Sequence, residues 1–291
     1  MTIAPTDRLV DRLGFLEPLG EAVHQLVARL EAAAGPPGAA VKDLLNGTWL
    51  GHPLHPALTD IPLGAWSGAS LLDLADRGAG GDLGRAADLL VGVGCAGGVA
   101  AALSGVADWQ DKYGKERNLA TLHAVLNVSA LVLMSASLAQ RLRGARGPAV
   151  GMSAAGTGAA IAGAYLGGDL VFRLGIQVNR NAFSEGPSQW CPAASAGELE
   201  EGAVVRREVG GRQVMLTRLD GEICAASAIC SHSGGPLDEL GVEDGQVRCP
   251  WHGSRFALRT GRVTRGPATV ANPVFQTRVR QDRVEIRLPP R

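Results

Sequence analysis

CSHSGGPLDELGVEDGQVRCPWH, residues 230–252, contains two short boxes, Cys230-Ser231-His232 and Cys249-Pro250-Trp251-His252, separated by sixteen residues. Each box offers one thiolate and one imidazole. Glycines follow both, Gly234-Gly235 and Gly253, and let backbone amides turn back toward whatever the sulfurs bind. The flanking sequence has a two-residue period. Val204-Val205 precede a Gly210-Gly211 turn, and residues 214–219 run into Asp220-Gly221. Asp244-Gly245 marks a further hairpin, and Arg283-Val284-Glu285-Ile286 alternates polar with apolar near the chain end. Short alternating runs punctuated by such turns predict a small antiparallel β domain with both boxes on its loops.

Two Cys and two His suit either of two metals. One four-coordinate zinc satisfies the donor count, but the paired C-x-H and C-x-x-H order departs from the usual zinc spacings. A two-iron cluster with two cysteines on one iron and two histidines on the other asks for two loops that each supply one ligand of each kind. Residues 189–290 resemble the Rieske ferredoxin-type family over nearly their full length. The resemblance implies one [2Fe-2S] cluster per chain, with Cys230 and Cys249 on one iron and His232 and His252 on the other. It also implies a shielding loop at Gly266-Pro267, with Pro267 beside the cluster. Rieske proteins of quinol:cytochrome c complexes add a disulfide-forming cysteine to each box, where this chain has Gly235 and Trp251. A tyrosine found there is Phe256 here, whereas the sulfur-facing serine is kept as Ser254. Fewer hydrogen bonds to sulfur imply a ferredoxin-like potential, toward the low end of the Rieske range of about −150 to +300 mV.

The preceding sequence is of another kind. Residues 57–172 are rich in Ala, Gly, Leu and Val, and the charged residues concentrate after residue 184. Four spanning helices are expected, near residues 57–74, 89–107, 119–138 and 149–168, since a bilayer core of about 30 Å takes roughly 20 apolar residues. The first is weakest, because it holds Pro62, Asp60 and Asp73. Glycine pairs four apart, Gly64/Gly68, Gly94/Gly98 and Gly163/Gly167, predict tight helix packing. Four spans put both termini on one side, with His52, His55, Asp60, Asp108, His123 and Asp169 at that face beside Trp49, Trp109, Tyr113 and Phe172. Residues 46–64, NGTWLGHPLHPALTDIPLG, resemble the start of a four-helix bacterial membrane domain often fused to soluble redox domains, a resemblance that implies no activity. Upstream, residues 16–34 read as an amphipathic helix ended by Gly35-Pro36-Pro37-Gly38, lying along the bilayer surface or the bundle.

The expected architecture is therefore α + β with two domains, a four-helix transmembrane bundle followed by a small antiparallel β Rieske domain. Its expected parts are an N-terminal amphipathic helical segment (1–48), the transmembrane domain (49–173), a linker (174–189) and the Rieske domain (190–291). The N-terminus is not expected to be a cleaved leader. Of five cysteines, Cys95, Cys191 and Cys224 lie outside the boxes and form no disulfide framework. Zero formal charge with scattered Lys and Arg argues against a nucleic-acid partner. A ring-hydroxylating oxygenase would need a second, mononuclear iron, and no histidine follows His252.

Two functions of different class remain. One is a membrane-anchored electron-transfer protein that exchanges single electrons with an unknown redox partner protein. The other is a small membrane oxidoreductase acting on quinone or haem at a second site built from His52, His55 and His123. Pairing of these histidines with backbone and carboxylates is the structural alternative to such a site. A redox sensor anchored by the bundle is a third reading. Loop Lys and Arg divide nearly evenly between the two sides, Lys112, Lys115 and Arg117 on one and Arg77, Arg85, Arg141, Arg143 and Arg146 on the other, so the charge rule does not orient the chain. Assembly of clusters in the cytosol places the Rieske domain on the cytoplasmic face of a bacterial inner membrane.

Overall fold

The computed structural model describes residues 12–76, 82–183 and 186–289. Residues 1–11 of the expected N-terminal segment, Arg77, residues 184–185 of the expected linker and the last two residues lie outside the described residues. The chain forms two compact units, one of residues up to Val41 with Leu54–Ile176, the other of Lys42–Pro53 with the residues from Gln177 onward.

Among the described residues the helical unit has five long helices: α1 Glu17–Asn46, α2 Leu54–Asp76, α3 Asp82–Trp109, α4 Gly114–Leu142 and α5 Arg146–Gly168. Gly35-Pro36-Pro37-Gly38 was expected to end the first of these. Instead it bends α1, with Gly35 at φ 57°, ψ −140° and the helix resuming to Asn46. The two prolines then occupy the first turn of the second segment, where a missing N–H costs nothing. The apolar stripe of α1, Leu19, Val23, Leu26 and Leu30, faces outward. Its polar side meets α4 and the connection between α3 and α4 instead: Arg117 donates to Glu21 Oε2 at 2.9 Å and Gln110 to Glu31 Oε2 at 2.9 Å.

Helices α2 to α5 pack as an antiparallel ring, α2 on α3, α3 on α4, α4 on α5 and α5 back on α2. Three of them, and not the expected four, are long and apolar enough to cross a membrane: Asp82–Trp109, Gly114–Leu142 and Arg146–Arg173. Helix α2 is the exception, with Asp60 near its start and Asp73 and Asp76 at its end. The bundle is inverted relative to a soluble one. Leu89, Val99, Leu103, Val132 and Ile161 are exposed, while Ala69, Ala87, Ala130, Ala160 and Ser137 are buried. The expected glycine pairs act mostly as seats for side chains. Trp66 lies against Gly94 and Gly98, Asn127 against Gly163 and His123 against Gly167, whereas Gly64 faces open space.

At the end of the ring where α2 and α4 finish, an ionic network ties all four helices together. Arg141 pairs with Asp73 and, at 2.7 Å, with Asp88; Arg146 donates to Asp73 at 2.8 Å and Asp88 at 3.0 Å. Ser153 accepts from Arg141 Nη2 at 3.0 Å and Ser137 from its Nε at 3.1 Å. The side chains of Arg141 and Asp73 are 1% and 2% exposed. Arg141 and Arg146 are therefore structural, and not the loop charges that their positions in the sequence suggested.

Among the described residues the β unit has ten strands: β1 Cys191–Ser195, β2 Val205–Val209, β3 Arg212–Leu219, β4 Glu222–Ser227, β5 Val242–Glu243, β6 Gln246–Arg248, β7 Arg255–Ala257, β8 Val263–Arg265, β9 Val274–Arg280 and β10 Arg283–Arg287. They build a six-stranded sheet, β1-β10-β9-β4-β3-β2, and a four-stranded sheet, β5-β6-β7-β8, with antiparallel pairing throughout. The turns at Gly210-Gly211, Asp220-Gly221 and Asp244-Gly245 all have positive φ at both residues, the mirror-image geometry that suits strand twist. Alternation in β10 buries Val284 and Ile286 against Val214, Leu216, Ala225 and Phe275. A second core, with Met215, Leu237, Val247, Phe256 and Leu258, surrounds Cys230 and Cys249.

Candidate metal centre

The two boxes occupy loops of matching design. The first, residues 228–237, follows β4 and is closed by Leu237 N–H donating to the Ala228 carbonyl at 2.8 Å. The second, residues 249–254, joins β6 to β7, whose last pair is Arg248 with Arg255. In both, the cysteine carbonyl accepts from the amide four residues on, Gly234 at 3.0 Å and Gly253 at 3.1 Å. In both, the cysteine amide donates to the carbonyl five residues on, Gly235 and Ser254, each at 2.8 Å. Gly234 and Gly253 have φ of 84° and 77°, so the residue that reverses each loop is the one that takes up a left-handed conformation readily. This fold-back aims the next amides at sulfur. Cys230 Sγ accepts from the N–H groups of His232 and Ser233, and Cys249 Sγ from those of Trp251 and His252.

The four donors meet in two pairs. The cysteines, 1% and 2% exposed, are neighbours, each the first influence on the other's thiol. The neighbouring Cys230 thiol lowers Cys249 from its ordinary value despite burial, with the Trp251 and His252 amides adding to the effect. The neighbouring Cys249, with burial, pushes Cys230 up. The His232 and His252 rings lie 5.0 Å apart at 88°. His232 is buried, with Nδ1 3.2 Å from Ser233 Oγ, and His252 is half-buried beside exposed Trp251. Among the described residues no three His, Cys, Asp or Glu side chains converge on a single-ion site. A sulfur pair beside an imidazole pair suits two ions with two protein ligands each. There is also no room to spare beside sulfur: a Cβ on Gly235 would lie 2.7 Å from Cys249 Sγ and 3.0 Å from the Trp251 ring.

A third loop, residues 266–272, links the two boxes. Ala268 N–H donates to Ser254 Oγ at 3.0 Å, and Ser231 Oγ donates to the Val270 carbonyl at 2.7 Å. Gly266, Pro267 and Ala268 are buried. Behind the first box, Asn181 donates to the Ile229 carbonyl at 2.9 Å and accepts from Arg212 at 3.0 Å and Ser227 at 2.9 Å. Burial lowers the Arg212 guanidinium from its ordinary value. Arg180 N–H donates to the Ser231 carbonyl at 3.0 Å. Residues 180–181, read as linker, are thus second supports of the first loop. Their polarity looks the same in sequence as that of any exposed connection.

The three histidines expected to form a second site are divided. His55 and His123 come together in the helical unit, their rings 6.1 Å apart at 88°. His55 Nδ1 lies 2.8 Å from the Ala101 carbonyl and His123 Nδ1 2.8 Å from that of Gly163. One therefore ties α2 to α3 and the other α4 to α5. His52 belongs to the segment that packs with the β unit, is exposed, and has Nδ1 3.0 Å from the Pro53 carbonyl.

Comparison with known proteins agrees with the division into two units. Residues 189–278 match the Rieske [2Fe-2S] domain, and residues 51–180 match the predicted membrane protein family DUF2231. The ferredoxin component of biphenyl 2,3-dioxygenase from Rhodococcus jostii is 33% identical over 94 residues, 32% of this chain and 88% of that protein. Apoptosis-inducing factor 3 from Mus musculus is 36% identical over 90 residues, but the match spans 31% of this chain and only 15% of the mouse protein. Among solved structures, the ferredoxin of carbazole 1,9a-dioxygenase from Nocardioides aromaticivorans is 26% identical, covering 35% of this chain and all of that one, with a TM-score of 0.33.

Proposed function

Because the chain belongs to the Rieske [2Fe-2S] family and carries a [2Fe-2S] cluster, we propose that it is a membrane-anchored electron-transfer protein that passes single electrons to or from a protein partner. The matched pair of loops carries this reading. Cys230 and Cys249 bind one iron and His232 and His252 the other, and the cluster supplies one-electron reduction and oxidation. The protein's own part is to hold the four donors and to present N–H groups to sulfur. Ser254 Oγ accepts from Ala268, so its proton would be available to a cluster sulfur, and buried Pro267 on the third loop would help to shield the cluster. The ferredoxin relatives support transfer rather than turnover, since this domain accounts for 88% of the Rhodococcus protein. The redox partner is a protein of unspecified identity.

The anchoring rests on the outward apolar faces of α2 to α5 and on the exposed stripe of α1. We place four spans in a bacterial inner membrane, with α2 as the least apolar, α1 along the bilayer surface and the Rieske domain on the cytoplasmic side. The test is direct. Protein purified in detergent and reduced with dithionite is expected to give a low-average-g paramagnetic signal and about two irons per chain. A colourless protein holding one zinc and no iron overturns the reading. Gly235→Ala is expected to lower iron content severalfold without loss of helix, by crowding Cys249 Sγ; full iron content would count against the sulfur pair as ligands.

The second reading, an oxidoreductase acting on quinone or haem, has one observation behind it. With Nδ1 of His55 and His123 facing a carbonyl, the lone pair of each ring sits on Nε2, the tautomer a metal or quinol would require. His52 does not join them in the helical unit. On this reading His123→Ala removes a second chromophore, or slows oxidation of the cluster by quinone, and leaves the cluster spectrum unchanged. Unaltered cofactor content and quinone reactivity in His55→Ala and His123→Ala would leave the pair as ties between helices.

A further inference from the structure

The cluster-binding unit contains a segment from the other end of the chain. Residues Lys42–Pro53, the last turn of α1 and the connection to α2, belong to the same compact unit as the β strands. Their contact falls on the third loop. Asp43 Oδ1 accepts a hydrogen bond from Gly266 N–H at 2.8 Å, across 223 positions of sequence. Asn46 is 1% exposed. A Cβ on Gly266 would lie 2.9 Å from Thr48 Oγ1, 3.0 Å from Asp43 Oδ1 and 3.1 Å from Asn46 Nδ2, so three side chains close on one glycine.

Asp43 stands in the last turn of α1, where the negative end of the helix disfavours a carboxylate. Helix stability therefore does not account for its position, and the Gly266 amide does. From Gly266 the connection to the metal site is short: Ala268 is bonded to Ser254 beyond the second box, and Val270 to Ser231 in the first. The family match begins at residue 189, so nothing in it assigns a role to residues 42–53.

We propose that residues Lys42–Pro53 are a working part of the cluster-binding unit, with Asp43 a positioning residue that holds the Gly266-Pro267 loop closed over the metal site. The inference rests on the Rieske reading for what lies beneath the loop, but not for the contact itself. It also implies that a fragment beginning after the bundle lacks one wall of the site.

The test uses the full-length protein in detergent, as wild type, Asp43→Ala and Asp43→Asn, and follows hydrogen exchange in residues 266–272 and cluster loss to a ferrous chelator. Losing a hydrogen bond to a charged acceptor is expected to speed both by roughly tenfold in Asp43→Ala. Asp43→Asn keeps an acceptor oxygen and is expected to stay within about threefold of wild type. Exchange in Asp43→Ala equal to wild type, or Asp43→Asn as fast as Asp43→Ala, overturns the proposal, because the acceptor would then hold nothing. If wild-type protein contains no cluster, the functional reading fails and the exchange measurement still decides the role of Asp43. Asp43 is only half-buried, and an unchanged helical circular dichroism signal shows that each variant is folded.

Discussion

Protein with Cys249→Ser or His252→Ala is expected to contain no [2Fe-2S] cluster: iron falls to background, and the paramagnetic signal of the reduced wild type is absent. The two boxes have the same loop closure, so one missing donor leaves one iron with a single protein ligand. The loss should be confined to the β unit. The helical unit has its own cores, around Trp66 and Met134 and around Trp109 and Leu119, so membrane insertion and helix content are expected to persist. Retention of the signal in either variant would remove that residue from the ligand set. Cys224→Ser serves as the control, because that thiol is buried at the far end of β4 from the first box and its deprotonation is disfavoured by burial. It is expected to keep the full cluster content.

The second large effect concerns the bundle. Arg141→Ala is expected to destabilise it by about 3–5 kcal/mol, because Asp73, 2% exposed, loses one of its two guanidinium partners. The measurement is thermal unfolding in detergent, followed by helical circular dichroism. Asp73→Asn combined with Arg141→Gln should recover much of the loss, since removing both charges leaves no buried ion unpaired while Arg146 still meets Asp88. A single variant as stable as wild type would show that Arg141 is not held in the network. If the double variant is no better than the single ones, packing and not charge pairing is at stake.

The two matched loops that carry Cys230, His232, Cys249 and His252 were legible because their signals are local. Cys230 and His232, and Cys249 and His252, are near neighbours, and Gly234 and Gly253 mark where each loop must reverse. The β hairpins were legible for a similar reason, since Asp220-Gly221 and Asp244-Gly245 encode both the turn and the register of the strands they join. Apolar length likewise marked α3, α4 and α5. Sequence was less informative where one pattern has two outcomes. Gly35-Pro36-Pro37-Gly38 ends a helix or bends one, and only the packing of residues 36–46 selected the bend. The acids of α2 read as a defect in a span, yet Asp73 is buried because Arg141 and Arg146 reach it from α4 and α5.

What the sequence determined by itself is the pair of Cys/His boxes and their glycine-reversed loops, the β character of the last hundred residues and the apolar character of the middle of the chain. Each follows from residues within a few positions of one another. Tertiary structure alone decided which distant residues serve those elements: Asp43 on Gly266, Asn181 behind Ile229, and His55 against His123 while His52 lies in the other unit. Such contacts depend on how whole elements pack, and a carboxylate at position 43 looks the same in sequence whether it faces water or an amide 223 residues away.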